Sequence, residues 1–319
     1  MTTISVNASS QTEVTLKNDA ESSSKVALAA FNGRIYMAYR GWGSSKSLYI
    51  CSTADGVSWS QQTDITDENG AKTQNSPALA AFNGRLYLAY QGSGSDSIYI
   101  CSSADGVNFG DQTKITSQND AETDSPPALA AFNGRLYMAY RGEDLSSNLY
   151  VCSSPNGTDW DSQVNVSDQN GASSTTTAGP ALAAFNGKLF LGWEGIGGTP
   201  INGSAIYVCS SSDGSEWGPQ TNLEDANGAE GYDGVSLAAT SDTLFALYHG
   251  AHTAQLYGCA FNGTTWSTNQ INFSGINEAG SQCGPALAAL NNTFYAAYPG
   301  ILPSNDLWDF TFTVNWSNT

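Results

Sequence analysis

Charge is scarce in this sequence, and positive charge is scarcest. Only 13% of its 319 residues are charged, and 11 Lys and Arg face 29 Asp and Glu, for a formal net charge of −18. Globular domains carry roughly a quarter charged residues. A protein that grips phosphate needs a basic footprint, so the deficit excludes nucleic acid as a partner and argues against anionic membranes. Long apolar runs are missing too. No segment approaches the ~20 apolar residues of a spanning helix, and MTTISVNASS has neither the basic start nor the apolar stretch of a secretory signal. The expected location is therefore cytoplasmic, or outside the cell by release without a signal peptide. The two histidines, His249 and His252, have no cysteine near them and give no zinc pattern. The Asp-x-Asn-Gly loops at Asp67, Asp168 and Asp225 lack the spaced ligands of a calcium loop. No metal or cofactor is expected.

The cysteines number six, enough for three bridges, but their positions argue against pairing. Cys51, Cys101, Cys152, Cys209 and Cys259 recur at one place in successive repeats (LYICST, IYICSS, LYVCSS, IYVCSS, LYGCAF). Equivalent positions in neighbouring repeats lie further apart than the ~5.5 Å Cα separation that a disulfide favours. They read as small buried hydrophobes, with Cys283 free as well, and unpaired thiols fit a reducing compartment. The sequons at Asn7, Asn156, Asn202 and Asn262 would then stay unmodified.

In place of charge stand 33 Gly, many Ser, Thr and Asn, and 8 Trp, 15 Tyr and 12 Phe, enough aromatic mass for a large core. The segment VALAAFNGRIYMAYRG at 26–41 recurs at 77–92, 127–142 and 180–195, with degraded copies at 236–250 and 285–300. Asn-Gly between alternating apolar residues is a strong hairpin signal, since both residues tolerate φ > 0. A third apolar run carries the cysteine; a turn, an aromatic residue and a short fourth strand follow. Four strands in a period of about 51 residues describe a β-propeller blade. The last repeat lacks its fourth strand, and QTEVTLKNDAE at 11–21 aligns with QTDITDENGAK at 62–72. The expectation is an all-β, six-bladed β-propeller over residues 1–319, with four antiparallel strands per blade. Residues 1–17 supply the outer strand of the C-terminal blade and close the ring without open edges.

Connections in such blades alternate between two faces. The Asn-Gly turns share a turn face with the connections from third to outer strand, STADGVSW, SSADGVNF, SSPNGTDW and SSSDGSEW. These turns resemble the Asp-box of sialidase-type propellers, although here the acid immediately precedes Gly. The resemblance implies a folding role for Asp55, Asp105 and Asp213. Arg34, Arg85, Arg135 and Lys188 follow the Asn-Gly turns and are expected to pair with turn carboxylates.

The opposite, loop face varies between repeats. Each second strand ends in an aromatic, a variable residue and Gly: Tyr39-Arg40, Tyr90-Gln91, Tyr140-Arg141, Trp193-Glu194, Tyr248-His249 and Tyr298-Pro299. Aromatic rings stack on sugar C–H faces, while guanidinium, amide and carboxylate groups bind hydroxyl pairs. The expected ligand-binding residues are therefore Tyr39, Arg40, Trp42, Tyr90, Gln91, Tyr140, Arg141, Trp193, Glu194, Tyr248 and His249.

The chain resembles the six- and seven-bladed propeller lectins of fungi and bacteria in blade count, polar composition and absence of a signal peptide. That resemblance implies a carbohydrate-binding lectin, not an enzyme, whose repeated sites gain avidity on clustered glycans. A protein-interaction scaffold is the alternative, and a sialidase-like glycoside hydrolase a lesser one. Sialidases use three Arg on the substrate carboxylate, whereas all five Arg here sit in repeat-equivalent positions. For catalysis, the divergent stretch of the fourth and fifth repeats offers Glu194, Glu230, Asp233, His249 and His252. Acids concentrate in the loop-face segments, so neutral sugars on cell-surface glycoconjugates are the expected partners.

Overall fold

The computed structural model describes residues 2–44, 46–143, 147–174, 178–195, 204–251 and 253–318. The first repeat shows the unit: an inner strand Ala27–Phe31, a second strand Arg34–Arg40, a third Leu48–Thr53 and a two-residue outer strand Thr63–Asp64. Asn32 (φ 46°) and Gly33 (φ 71°) make the first hairpin, as the sequence requires. The second strand is buried at five consecutive positions, because neighbouring sheets cover both of its faces.

The innermost strands Ala27–Phe31, Ala78–Phe82, Ala128–Phe132, Ala181–Phe185, Glu230–Ala239 and Ala286–Leu290 neighbour one another in order, and the last neighbours the first. Their recurrent alanines let them converge on a narrow channel of about 90 Å³, lined by Pro77, Pro127, Pro180, Leu237 and Leu287. The result is an all-β propeller.

Among the described residues there are five hydrogen-bonded sheets instead of six separate ones. The fourth and fifth repeats form one eight-stranded sheet, because the lengthened strand Ser204–Ser211 pairs with Glu230–Ala239 through Ser204↔Gly231 and Ala205↔Glu230. At the other junction, Thr12–Glu13 pairs with Trp308 and Asp309 of the last long strand, Leu307–Asn318. Thr2–Ala8 then runs antiparallel to Phe312–Asn318, a pairing that the sequence pattern did not reveal.

Asn followed by Gly, Asp or Glu and then Ala recurs at Asn18, Asn69, Asn119, Asn170, Asn227 and Asn277, and each Asn ends a one-turn helix. Ile65–Asn69 is one example, closed by Gly70 at φ 74°. In each copy the Asn amide donates to a backbone carbonyl of the next repeat: Asn18 to Ser60 (2.7 Å), Asn69 to Gly110 (2.8 Å), Asn119 to Asp161 (2.8 Å), Asn170 to Gly218 (2.8 Å), Asn227 to Ser267 (3.0 Å) and Asn277 to Ser9 (3.2 Å). Six such staples tie repeat to repeat around the ring.

On the turn face, Asp55 accepts the N–H groups of Val57 and Ser58 at 2.9 and 2.7 Å, and Asp105 repeats the pattern. These backbone donors hold both carboxyls well below the usual range. Above the turns of the second, third and fourth repeats lies a tyrosine of the preceding repeat. Tyr36, Tyr87 and Tyr137 donate to the carbonyls of Asp105, Asn156 and Asp213 at 3.1, 2.9 and 2.9 Å. A Cβ on Gly106, Gly157 or Gly214 would lie 2.1–2.3 Å from those rings, so only glycine fits. Arg34 and Arg85 do not pair with turn carboxylates; they bond Ser52 and Ser102 on the third strand. Arg135 reaches a carboxylate, that of Asp161, while Lys188 is exposed.

All six cysteines are free and buried, and burial pushes each thiol up to about 12.

Candidate functional site

The aromatic residues expected to stack on ligands have no ring face to offer. Tyr39, Tyr90, Tyr140, Trp193 and Tyr248 are at most 1% exposed. Each stacks inside the sheet sandwich on a third-strand ring, Tyr49, Tyr99, Tyr150, Tyr207 or Tyr257, with centroids 5.7–6.3 Å apart. The four tyrosine hydroxyls donate to Gln62, Gln112, Gln163 and Gln270, which follows the rule that buried polar groups find partners.

The variable residues divide. Gln91 is buried and accepts from the Asn75 amide at 2.5 Å. Arg141 is buried, with Nη1 2.5 Å from both carboxylate oxygens of Asp124. Arg40 is half-buried and donates to the Gln74 carbonyl at 2.8 Å. Trp42 alone of the expected residues is well exposed, at 57%. A ring of near-identical open sugar sites is therefore not what these side chains build.

They build instead one asymmetric cluster where the fourth, fifth, sixth and first repeats meet on the loop face. Glu194, at the end of the strand Lys188–Gly195, is buried, and its Oε1 accepts the Gly234 N–H at 3.0 Å. The preceding residue, Asp233, sits at φ 72° in a register break between Gly231 and Val235, a conformation unusual outside glycine. Asp233 Oδ2 accepts the Gly284 N–H at 3.2 Å. Lys25 donates to the Val235 carbonyl at 2.9 Å and turns its charge toward both Asp233 and Glu194. His249 Nδ1 lies 3.2 Å from the Tyr232 carbonyl, with its ring facing Asp233.

Burial sets the protonation of the cluster. It raises the Asp233 carboxyl from its ordinary value, against the opposing pull of the Gly284 N–H and the Lys25 and His249 charges. Burial lowers Lys25, opposed by Asp233 and Glu194, and lowers His249, opposed by the Tyr232 carbonyl and Asp233. Beside the cluster opens a pocket of about 320 Å³, lined by Tyr232, His249, Thr253, Ser281, Ile301 and Leu302. The Tyr232 ring is 58% exposed there, a flat platform next to the histidine.

Three residues singled out as catalytic candidates, Glu194, Asp233 and His249, are thus brought together. Glu230 points elsewhere, toward Glu224, and His252 lies outside the described residues. Lys25 was not among those candidates. Its signal was positional: it stands where the other repeats carry Ser76, Pro126, Gly179, Gly234 and Gly284, at the entrance to an inner strand. Among the described residues no group of three or more His, Cys, Asp or Glu side chains is placed to hold a metal ion.

No family model matches the sequence, and no curated protein does either. Solved structures do. The α-L-arabinanase of Penicillium chrysogenum, complexed with arabinobiose, superposes with a TM-score of 0.65 at 15% identity, covering 96% of this chain and 98% of its own. An α-L-arabinofuranosidase of Fusarium graminearum, also complexed with arabinobiose, gives 0.68 at 13% identity with the same coverage. A sialidase of Trypanosoma rangeli gives 0.63 at 10% identity, covering 96% of this chain and 59% of its own. These likenesses establish the propeller fold. They overturn the lectin expectation and the expectation of a non-enzyme, because the similar proteins are glycoside hydrolases.

Proposed function

We propose that this chain is a glycoside hydrolase working on neutral, arabinose-containing glycans at the Glu194–Asp233 cluster. The observation that carries the reading is the placing of two carboxyl side chains about Lys25, with His249 beside Asp233, where the repeats lose their symmetry on the loop face. Glycoside cleavage in most such enzymes needs two carboxyl groups in different roles, an acid that protonates the leaving oxygen and a carboxylate that acts as base or nucleophile. Environment assigns those roles. Asp233 is raised by burial, which keeps its proton available, and is the general acid. Glu194, held by the Gly234 N–H and facing Lys25, takes the remaining role of base or nucleophile. Tyr232, with Trp42 further round the face, offers an exposed ring for a sugar.

Neutral substrates are favoured by the crowding of acids on this face. Glu143 is raised by Asp96 first and then by Glu122 and Asp124, so an anionic sugar would meet the same repulsion. The accompanying reading of the fold counts six blades in a single domain. It takes the eight-stranded sheet as two repeats fused at Ser204–Ala205, and residues 1–17 as completing the last blade. Six free thiols fit a reducing compartment.

The test is turnover of an aryl α-L-arabinofuranoside and of arabinan. Glu194→Gln and Asp233→Asn should each lower kcat by about 10²–10⁴-fold without loss of the folded state by circular dichroism. Absence of turnover in the unaltered protein, or variants as active as it, would refute the proposal.

A further inference from the structure

On the turn face, between the fourth and fifth repeats, a second cavity of about 360 Å³ opens beside the turn at Gly263. Three departures from the repeat pattern create it. Phe190 stands where Tyr36, Tyr87 and Tyr137 of the first three repeats reach across to the next turn, and it has no hydroxyl to bond that carbonyl. Phe261 replaces the Thr53, Ser103, Ser154 or Ser211 hydroxyl that caps the glycine of its own turn. Lys188 stands where Arg34, Arg85 and Arg135 of the first three repeats bond the third strand, and it is exposed.

The effect shows at Gly263. A Cβ built there meets nothing closer than the Asn186 amide at 3.1 Å, whereas the equivalent Gly106 would strike the Tyr36 ring at 2.3 Å. The turn is nonetheless formed, since Asn262 Oδ1 accepts the N–H groups of Thr264 and Thr265 at 2.9 Å each. The space is therefore built, not a frayed edge. Its walls are aromatic: Phe261 lies 5.7 Å from Phe190 and 5.3 Å from Trp266 between ring centroids. Its rim carries Asn186, Lys188, Ser210, Thr221 and Thr264.

A volume in the range of small-ligand sites, rings on the walls and amide, hydroxyl and ammonium groups at the mouth suit one sugar ring, with C–H faces for the rings and hydroxyls for the rim. The geometry points to a second, non-catalytic binding site for a single neutral sugar residue, on the face opposite the Glu194–Asp233 cluster. It carries no pair of carboxyl groups among its lining residues, so it binds without cleaving. A polymer held there would keep a hydrolase on its substrate by effective concentration; that consequence, unlike the site itself, rests on the proposed activity.

The test follows the indole N–H signal of Trp266, assigned with Trp266→Phe, by nuclear magnetic resonance during titration with L-arabinose, D-galactose and arabinobiose. A saturable shift with at least one of the three is expected. Phe190→Tyr restores the closing side chain of the first three repeats and should weaken binding at least tenfold while leaving the melting temperature unchanged or higher. Phe261→Ser should act in the same direction. No shift with any probe up to roughly 100 mM, or unaltered affinity in a folded Phe190→Tyr variant, overturns the site. A protein that cleaves no glycoside but still shows the Trp266 shift keeps this site and loses the hydrolase reading.

Discussion

Glu194 Oε1 accepts the Gly234 N–H at 3.0 Å, a hydrogen bond that joins the end of one repeat's second strand to the bulged start of the next repeat's inner strand. Because Asp233 precedes Gly234 in the chain, the same bond fixes the two acids relative to each other. Gly234 takes φ 99°, and a Cβ there would sit 3.0 Å from that of Ala178, so glycine is required on both counts.

Asp233 should govern the alkaline side of the pH profile. A general acid works while protonated, so activity should fall as pH rises through the raised Asp233 value. Lys25 opposes that rise; Lys25→Met removes its charge and should move the alkaline limb of kcat to higher pH. A limb that moves to lower pH, or stays in place in a folded Lys25→Met protein, would exclude Asp233 as the acid.

Arg141 should behave as a structural residue. It is buried, and its guanidinium lies 2.5 Å from both Asp124 oxygens. Arg141→Ala strands a partly buried carboxylate, for an expected loss of about 1–3 kcal/mol. Urea denaturation measures it directly. Unchanged stability together with weaker carbohydrate binding would return Arg141 to the role expected of it from sequence.

The difference between those roles shows where the sequence was readable. Strand order and the pairing of residues 12–13 with the final repeat follow from the ALAAFNG periodicity and from the QT motif at Gln11 and Gln62. The same motif held information that was missed. Its glutamines, Gln11, Gln62 and Gln112 among them, are the partners of the second-strand tyrosines, so those rings were committed to the interior. A strand's period of two says which residues share a side, but not whether that side meets solvent or the adjacent sheet. Polar residues repeated in every unit proved to be staples, as Asn18 and Asn69 show, and the candidate site came from unrepeated ones, Lys25, Asp233 and His249. Lys25 meets Asp233 only because the ring closes, and no local pattern encodes that contact.

Asn18 tests the staple idea at the closing junction. It is 3% exposed, donates to the Ser60 carbonyl at 2.7 Å and accepts the Ala20 N–H at 3.1 Å. Asn18→Ala leaves the buried Ala20 N–H without its partner and cuts the tie to the Ser60 carbonyl, which should cost about 1–3 kcal/mol. Hydrogen exchange should then speed up first at Ala20 and in the outer strand Thr12–Glu13. Exchange unchanged there would mean that the junction is held by the Thr2–Ala8 pairing alone.

Asp309 gives the protein a stability that declines with rising pH. It is 1% exposed on the last long strand, and the Trp59 indole N–H faces its carboxyl. Burial pushes its carboxyl up to about 8, with the Trp59 indole opposing and Asp55 adding to the rise. The unfolded chain loses this proton near pH 4, whereas the native protein holds it until about pH 8. Between those values the native state binds the extra proton, so stability falls as pH rises, and above about pH 8 the full penalty is present. That penalty should be on the order of a few kcal/mol. Asp309→Asn keeps the shape and removes the titration. It should match the parent near pH 4–5, exceed it in urea midpoint at pH 8–9, and flatten the slope between. A parent protein whose midpoint does not fall between pH 5 and 8 more steeply than that of the Asn variant would show that Asp309 is ionised in the fold at no cost.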